Sequence, residues 1–217
     1  MSAGLFVTGT GTEVGKSVVA AVIAAEARAS GRATAVFKPA VSGIEDGGEL
    51  DHELLRRASG SPQTDDEIAP YRYDPPVSPH LGAELAGEPI DPARLRATAA
   101  HAAERADAIV CEGVGGLLVP LCRDYLVRDL ARELGYPIVI VAPPGLGTIN
   151  HTLLTVEAAR SAGLEIRAIV LNPWPERPST VEASNRETLT ALAGAEVLTL
   201  GPVDLAEPAG WPRLGLL

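Results

Sequence analysis

The chain has 217 residues, of which 46% are hydrophobic, and it carries a formal net charge of −10 with only two cysteines. This length suits one α/β domain, so we expect residues 1–217 to form a single domain. The negative charge disfavours nucleic acid and anionic membranes as partners, and the cysteine pattern indicates neither a disulfide framework nor a zinc site.

Short apolar, β-branched runs recur along the chain, with helical stretches between them. The runs predicted as buried strands are LFVTG, ATAVFKP, AIVCEG, PIVIVA, IRAIVLN and EVLTLG. The predicted helices span residues 16–29, 91–105, 125–134, 149–162 and 179–193. Residues 44–53 and 69–84 are predicted as loops. The alternation predicts a mostly parallel sheet flanked by helices, with ligands at the carboxyl edge of the sheet.

The first ten residues lack the basic start and long apolar core of a secretory signal. The longest apolar run, PIVIVAPPG, is too short to span a bilayer. We therefore expect a cytoplasmic protein.

The segment TGTGTEVGKSV raises a counting problem. A common phosphate-binding loop has four residues between its glycines, whereas Gly9 precedes Gly15 by one residue too many and Gly11 by one too few. The segment still joins a strand to a helix N-terminus, where unpaired N–H groups favour phosphate. Lys16 suits a terminal phosphate and Ser17 suits Mg²⁺. A plain strand-to-helix turn is the alternative, although such turns seldom combine three glycines with Gly-Lys-Ser.

An acid at the end of another strand is expected to hold the metal. The run AIVCEGVGG stops being apolar at Glu112, and the glycines that follow allow a ligand to approach the backbone. A capping or solvated glutamate is the alternative. A second acid is predicted at Asp51, at the start of a short helix, but composition alone does not separate it from Asp46, Glu49 or Glu53, and a simple N-cap remains open.

Lys38 and Ser42, in FKPAVSG, lie just beyond the second predicted strand, at the same edge. Taken alone, a lysine there is more often a solvated surface group. Five segments of the chain together resemble the dethiobiotin synthetases in order and spacing, and the resemblance extends from about residue 6 to about residue 172. The segments are TGTGTEVGKS, FKPAVSG, SPH, CEGVGGLLVPL and LGTINHTLLT. Members of that family usually have this extra residue in the loop, so the unusual spacing of the glycines is typical of the family.

The resemblance implies a P-loop NTPase-like fold and an ATP-dependent cyclo-ligase of biotin synthesis. In such an enzyme 7,8-diaminononanoate takes up CO₂ as a carbamate, ATP phosphorylates the carbamate, and the second amine closes the ureido ring. The products would be dethiobiotin, ADP and phosphate. The resemblance also implies Mg²⁺ as cofactor and a homodimer.

The resemblance further implies roles for single residues. Lys38, Lys16 and Thr12 would be catalytic, with Lys38 neutralising the carbamate and the transferring phosphoryl group. Mg²⁺ would be held by Ser17, Asp51 and Glu112. The substrate would be bound by Ser42, Thr12 and, across the dimer, Asn150. Nucleotide and metal binding would involve Glu13, Val14, Gly15, Lys16, Ser17, Val18, Asp51, Glu112, Gly113, Gly115, Asn172, Pro173, Gly201, Pro202 and Val203.

Some alternatives stay open. The resemblance implies that Asn172 binds the adenine base, but an asparagine before proline is also common in a turn. Asn185 lies where some family members have a tyrosine near the substrate tail. A partition-type ATPase switch would share the fold, but it carries an extra lysine five residues before the loop lysine, where this chain has Gly11. A stand-alone nucleotide-binding domain would turn over ATP slowly and independently of any diamine.

Overall fold

The computed structural model describes residues 3–44 and 49–217. Its strands are β1 (Ala3–Gly9), β2 (Thr34–Phe37), β3 (Val41–Ser42), β4 (Arg72–Tyr73), β5 (Ala108–Glu112), β6 (Pro120–Cys122), β7 (Tyr125–Leu126), β8 (Ile138–Ala142), β9 (Ile166–Leu171) and β10 (Val197–Thr199). Its α-helices are α1 (Lys16–Ala29), α2 (Asp51–Ser59), α3 (Asp65–Ile68), α4 (Pro79–Ala86), α5 (Pro92–Glu104), α6 (Val127–Leu134), α7 (Thr148–Ser161) and α8 (Thr180–Leu192). None of these helices is long and apolar enough to cross a membrane.

Six strands form one parallel sheet in the order β10-β9-β8-β1-β5-β2. Two small pairs lie outside it, a parallel pair of β3 with β4 and an antiparallel pair of β6 with β7. The prediction of a mostly parallel sheet flanked by helices is confirmed.

The central strand β1 is buried on both faces, because its side chains alternate between two hydrophobic layers. Leu5 and Val7 face the layer that includes α1 and α2, whereas Phe6 faces the layer that includes α5, α6, α7 and α8. This double burial explains why the strands have continuous apolar runs rather than alternating patterns. It also leaves the carboxyl edge of the sheet as the place for polar groups.

Most predicted elements agree with the structure to within two residues, and the helix at 16–29 agrees at both ends. The predicted loop at 69–84 is wrong in part, because β4 and the first residues of α4 lie there. Pro79 is the first residue of α4, a position that proline favours because its missing N–H has no helical partner there. The predicted loop at 44–53 ends at Asp51, where α2 begins, and residues 45–48 lie outside the described residues.

Candidate functional site

The segment between β1 and α1 folds as a tight glycine-rich loop. Gly15 has a φ of 86°, and a Cβ there would lie 1.9 Å from Nδ2 of Asn172. Glu13 adopts a φ of 60°, an uncommon conformation for a residue with a side chain. Lys16 begins α1, and its Nζ donates to the carbonyl of Gly11 at 2.9 Å. The loop is therefore wound closely around the N-terminus of α1.

Side chains from four elements meet beside this loop. Lys38, just after β2, lies 2.6 Å from Oε1 of Glu112 at the end of β5 and 2.7 Å from Oδ2 of Asp51 at the start of α2. The Ser17 hydroxyl in α1 lies 2.7 Å from Asp51 and 2.8 Å from Glu112. Lys38 and Glu112 are buried, whereas the Asp51 side chain is 44% exposed.

Lys16 and Lys38 are the only lysines of the chain, because 16 of its 18 lysine and arginine residues are arginines. Both lysines are buried, at 7% and 3% exposure. The only two ammonium side chains of the molecule therefore lie in this one site.

The ionisation of the cluster is set by opposing effects. Burial alone would lower the pKa of Lys38, but Glu112 and Asp51 outweigh burial and raise it. Burial lowers the pKa of Lys16, with Lys38 adding repulsion. Burial raises the pKa of Glu112 despite Lys38, whereas for Asp51 the contacts with Lys38 and Ser17 outweigh burial and lower the pKa. The two lysines and two acids thus form a nearly neutral, closely coupled group.

Among the acids that the sequence left as alternatives, Asp51 is the one that joins this group. Glu49 forms two 2.7 Å contacts with the guanidinium of Arg57. Glu53 accepts a 2.9 Å hydrogen bond from the backbone N–H at the start of α2. Asp46 lies outside the described residues.

The glycines after β5 bring a turn against the phosphate loop. A Cβ at Gly116 would lie 3.5 Å from the carbonyl of Gly9, so the two segments are in close contact. Gly115 has a φ of 60°, which favours glycine. Gly113 faces inward instead, because a Cβ there would lie 3.0 Å from Val127.

The predicted base-binding segments lie side by side at the ends of β9 and β10. Asn172 is 5% exposed, and its Nδ2 donates to the carbonyl of Val14 at 3.4 Å. Pro173 follows it, and the N–H of Trp174 donates at 2.6 Å to the carbonyl just before residues 201–203. The amide of Asn172 therefore faces the backbone of the phosphate loop. Val18, also predicted to bind nucleotide, lies in the first turn of α1 and is partly buried.

A cavity of about 440 Å³ lies beside the phosphate loop, between residues 9–12, residues 116–119 and α7. Thr12 lines it, and apolar walls come from Leu118 and Leu154, which are 52% and 59% exposed. These two leucines are not among the residues predicted from the sequence. A sequence gives little indication of such residues, because an exposed leucine on a helix or in a loop cannot be distinguished from a buried leucine by residue type alone.

Of the other predicted substrate residues, Ser42 pairs with Tyr73 across β3 and β4. Asn150 is exposed in the first turn of α7. Neither lines the cavity among the residues that the structure describes. Asn185, on α8, holds the loop before α7, because its Nδ2 donates to the carbonyls of Pro144 at 2.8 Å and Gly145 at 2.9 Å.

A family model described as an AAA domain matches residues 3–212. The ATP-dependent dethiobiotin synthetase of Anaeromyxobacter dehalogenans (strain 2CP-C) is 44% identical over 92% of this chain and 89% of its own length. The corresponding enzyme of Bacillus subtilis (strain 168) is 37% identical over 92% of this chain and 87% of its own length. The chain belongs to the dethiobiotin synthetase family. The enzyme of Rhodococcus erythropolis (strain PR4 / NBRC 100887), also in that family, is 41% identical over 90% of this chain and 86% of its own length.

Solved structures of more distant proteins share the fold of this dethiobiotin synthetase family member. The kinase domain of the Escherichia coli tyrosine kinase ETK has a TM-score of 0.53 and 20% identity, covering 82% of this chain and 70% of its own. The septum site-determining protein MinD of Pyrococcus horikoshii, complexed with Mg-ADP, has a TM-score of 0.53 and 15% identity, covering 93% of this chain and 82% of its own. The predicted P-loop type of fold is confirmed.

Proposed function

We propose that this member of the dethiobiotin synthetase family converts 7,8-diaminononanoate, CO₂ and ATP to dethiobiotin, ADP and phosphate. The observation that carries the proposal is the buried Lys38, held between Glu112 and Asp51 beside the Ser17 end of the phosphate loop. A phosphate loop alone indicates only a nucleotide. A second buried ammonium next to it suits a reaction in which one anion attacks another.

The proposed reaction has three steps. One amine of the substrate takes up CO₂ and loses a proton, which gives a carbamate. A carbamate oxygen then attacks the terminal phosphorus of ATP, and ADP leaves. Finally the second amine attacks the carbonyl carbon of this mixed anhydride, phosphate leaves, and the ureido ring closes.

The phosphate loop supports the second step by holding the triphosphate. Lys16 would contact the terminal phosphates from the N-terminus of α1, where the helix dipole also favours negative charge. Thr12 and Glu13 would face the terminal phosphate with their backbone N–H groups. Both residues are exposed at the tip of the loop, which fits that position.

We further propose that Ser17, Asp51 and Glu112 hold Mg²⁺. The three side chains converge to within hydrogen-bond distance, and the Oε2 atom of Glu112 is buried without a partner. This donor set of one hydroxyl and two carboxylates suits Mg²⁺, which is usually bound by one or two carboxylates and completes its shell with phosphate and water. When bound, Mg²⁺ supplies neutralising charge to the phosphates.

Lys38 would serve the carbamate. Its ammonium would leave the two acids and neutralise the attacking oxygen and the transferring phosphoryl group, which lowers the repulsion between two anions. Ser42 would donate a hydrogen bond to the carbamate. Lys38 lies in the short link between β2 and β3, four residues before Ser42, which suits both roles.

The cavity beside the phosphate loop suits the diamine, because its apolar walls at Leu118 and Leu154 match an alkyl chain. Asn150 would receive the tail carboxylate from a second subunit at the N-terminus of α7. Leu146, just before α7, is 95% exposed, and the two wall leucines are more than half exposed, which supports a homodimer that covers such apolar side chains. We place the protein in the cytoplasm, where ATP and reduced cysteines are available.

The proposal is tested by measuring phosphate release from Mg-ATP with and without 7,8-diaminononanoate and bicarbonate. We expect release to depend on both additions and dethiobiotin to form in equal amount. Phosphate release at the same rate with and without the diamine would favour an ATPase switch or a nucleotide-binding domain, and it would overturn the synthetase proposal.

A further inference from the structure

A second and larger cavity, of about 760 Å³, lies beside the amino end of β2. It is lined by the end of α1, by residues 32–35, 59–63, 66 and 67, and by α5 with the two residues that follow it. Helix α1 starts in the phosphate loop and ends at this cavity, so the cavity lies at the opposite end of the sheet from the proposed ATP site. Its size is in the range that holds small organic molecules.

β2 is an edge strand that pairs only with β5 in the described sheet. The N–H of Ala108 in β5 donates to the carbonyl of Ala33 at 3.1 Å, so the backbone groups of Thr34 and Val36 face away from β5. On the side of β2 that faces away from β5, the carboxamide of Gln63 forms hydrogen bonds with the backbone of Val36. The N–H of Val36 donates to Oε1 of Gln63 at 2.8 Å, and Nε2 of Gln63 donates to the carbonyl of Val36 at 3.0 Å.

Thr34 presents the same donor and acceptor pair one step along this edge, and it lines the cavity. Within residues 3–44 and 49–217, no hydrogen bond involves its outward N–H or carbonyl. The group that satisfies Val36 is a carboxamide, so an amide or urea is the matching group for Thr34. A peptide strand does not fit, because Gln63 closes the edge at Val36 and the carbonyl of Ile68 accepts from the N–H of Lys38.

The charge of the cavity favours an anion. Asp66 and Glu67 line it, but each already pairs with an arginine, at 2.7 Å and 3.8 Å. Arg28 and Arg32 line it without a carboxylate partner anywhere in the described part of the chain. The rest of the wall is mixed, because it combines polar side chains such as Ser59, Ser61, Thr98 and His101 with the alanines Ala33, Ala35, Ala97, Ala102 and Ala106.

We propose that this cavity binds a small organic carboxylate that carries an amide or urea group. The carboxylate pairs with Arg32, assisted by Arg28, and the amide or urea bonds to the backbone edge at Thr34 while the apolar body of the ligand packs on the alanines. This site goes beyond the proposed function, and binding there requires neither ATP nor turnover.

Dethiobiotin is a suitable probe, because it combines a cyclic urea with a carboxylate. Hydrogen–deuterium exchange of the full chain, read by peptide, separates this site from the proposed active site. We expect dethiobiotin to slow exchange in residues 28–36 and 97–106, since the free N–H of Thr34 becomes bonded. Hexanoate, which lacks the urea, and 2-imidazolidinone, which lacks the carboxylate, are expected to protect these peptides much less at equal concentration.

Two variants test the assignment. We expect Arg32→Ala to weaken the dethiobiotin-dependent protection of these peptides about tenfold, because a charge-assisted contact is lost. Thr98→Trp, which fills the cavity from α5, is expected to abolish it. Arg213→Ala, an exposed arginine outside the cavity, is the matched control and should bind as the unaltered chain does.

Protection confined to residues 9–17 and 112–119 would overturn the cavity proposal and leave the synthetase proposal intact. Equal protection by hexanoate, or unchanged affinity in Arg32→Ala, would also overturn it. Conversely, absence of dethiobiotin formation in the phosphate-release assay would overturn the proposed reaction and would leave the evidence for ligand binding in the larger cavity unchanged.

Discussion

A buried lysine needs carboxylates in contact to keep its charge, and Lys38 has two of them. Neither acid is independent of the lysine, because removing the ammonium would leave Glu112 fully buried beside a like charge. The three side chains therefore stabilise one another as a unit. This dependence gives a test that does not require substrate.

Lys38→Met is expected to lower the free energy of unfolding by about 3 kcal/mol in the absence of metal, since it leaves a buried carboxylate uncompensated. Added Mg²⁺ should raise the melting temperature of this variant more than that of the unaltered chain, because the vacated acids bind the cation. Ring closure should fall by several orders of magnitude. Thermal melts with and without Mg²⁺ and the product assay measure these effects.

Lys38→Arg is the control, because it keeps a cation between the acids. It should retain most of the stability while losing activity, since guanidinium and ammonium differ in size and geometry. Equal melting temperatures of Lys38→Met and the unaltered chain without metal would contradict the charge argument.

Two glycines of the phosphate loop make a second matched pair. Gly15→Ala would put a side chain at φ 86° and within 1.9 Å of the Asn172 amide, so we expect a loss of about 2 kcal/mol in stability and at least tenfold weaker ATP binding. Gly11→Ala meets no atom within 4 Å and should melt like the unaltered chain. Calorimetric titration measures the ATP affinity of each variant, and thermal melts measure its stability. Similar melting temperatures for both variants would contradict the predicted clash.

Among the elements, α8 holds the loop before α7 through the side chain of Asn185. Asn185→Ala would leave the carbonyls of Pro144 and Gly145 without their donor, costing about 1–3 kcal/mol. Because these residues lead into α7, we expect the KM for the diamine to rise while the KM for ATP stays the same. Steady-state kinetics with each substrate varied in turn measures this.

Glu187→Ala, an exposed change two residues along α8, is the control for Asn185→Ala. It should alter neither KM. A parallel rise of both KM values in Asn185→Ala would indicate a general loss of structure instead of a displaced α7.

The large elements could be predicted because each buries a continuous apolar run or a helical face, which leaves a strong pattern in the sequence. The helix at 16–29 has such a pattern and agrees at both ends. The two-residue strands β3 and β4 have none, because tertiary contacts stabilise them. The predicted helix at 125–134 begins two residues later, since Tyr125 and Leu126 pair with β6.

The same contrast applies to the site. Lys16, Ser17 and Glu112 follow from strand ends and a helix start, which a sequence shows directly. The contact of Lys38 with Asp51 depends on how α2 packs, and no spacing reveals it. The larger cavity was not predicted either, because it depends on an unpaired strand edge that is visible only once the strand order is known.

At the scale of the whole molecule, the exposed leucines beside the smaller cavity predict self-association. Leu146→Asp should convert a dimer to a monomer, because a charge replaces a 95% exposed apolar side chain that the proposed interface would cover. Light scattering after size exclusion measures the mass. Leu192→Asp, 60% exposed at the far end of α8, is the control and should leave the mass unchanged. A monomeric unaltered chain would contradict the proposed dimer.

The placement of both lysines gives the molecule a selective reporter. Labelling only lysine with ¹⁵N would yield two side-chain ammonium resonances, both from buried groups of the phosphate site. No surface lysine would add background, because Lys16 and Lys38 are the only lysines of the chain. The resonance of Lys38 should then follow, in real time, the exchange of its carboxylate partners for those of an incoming ligand, with no dye or engineered tag attached.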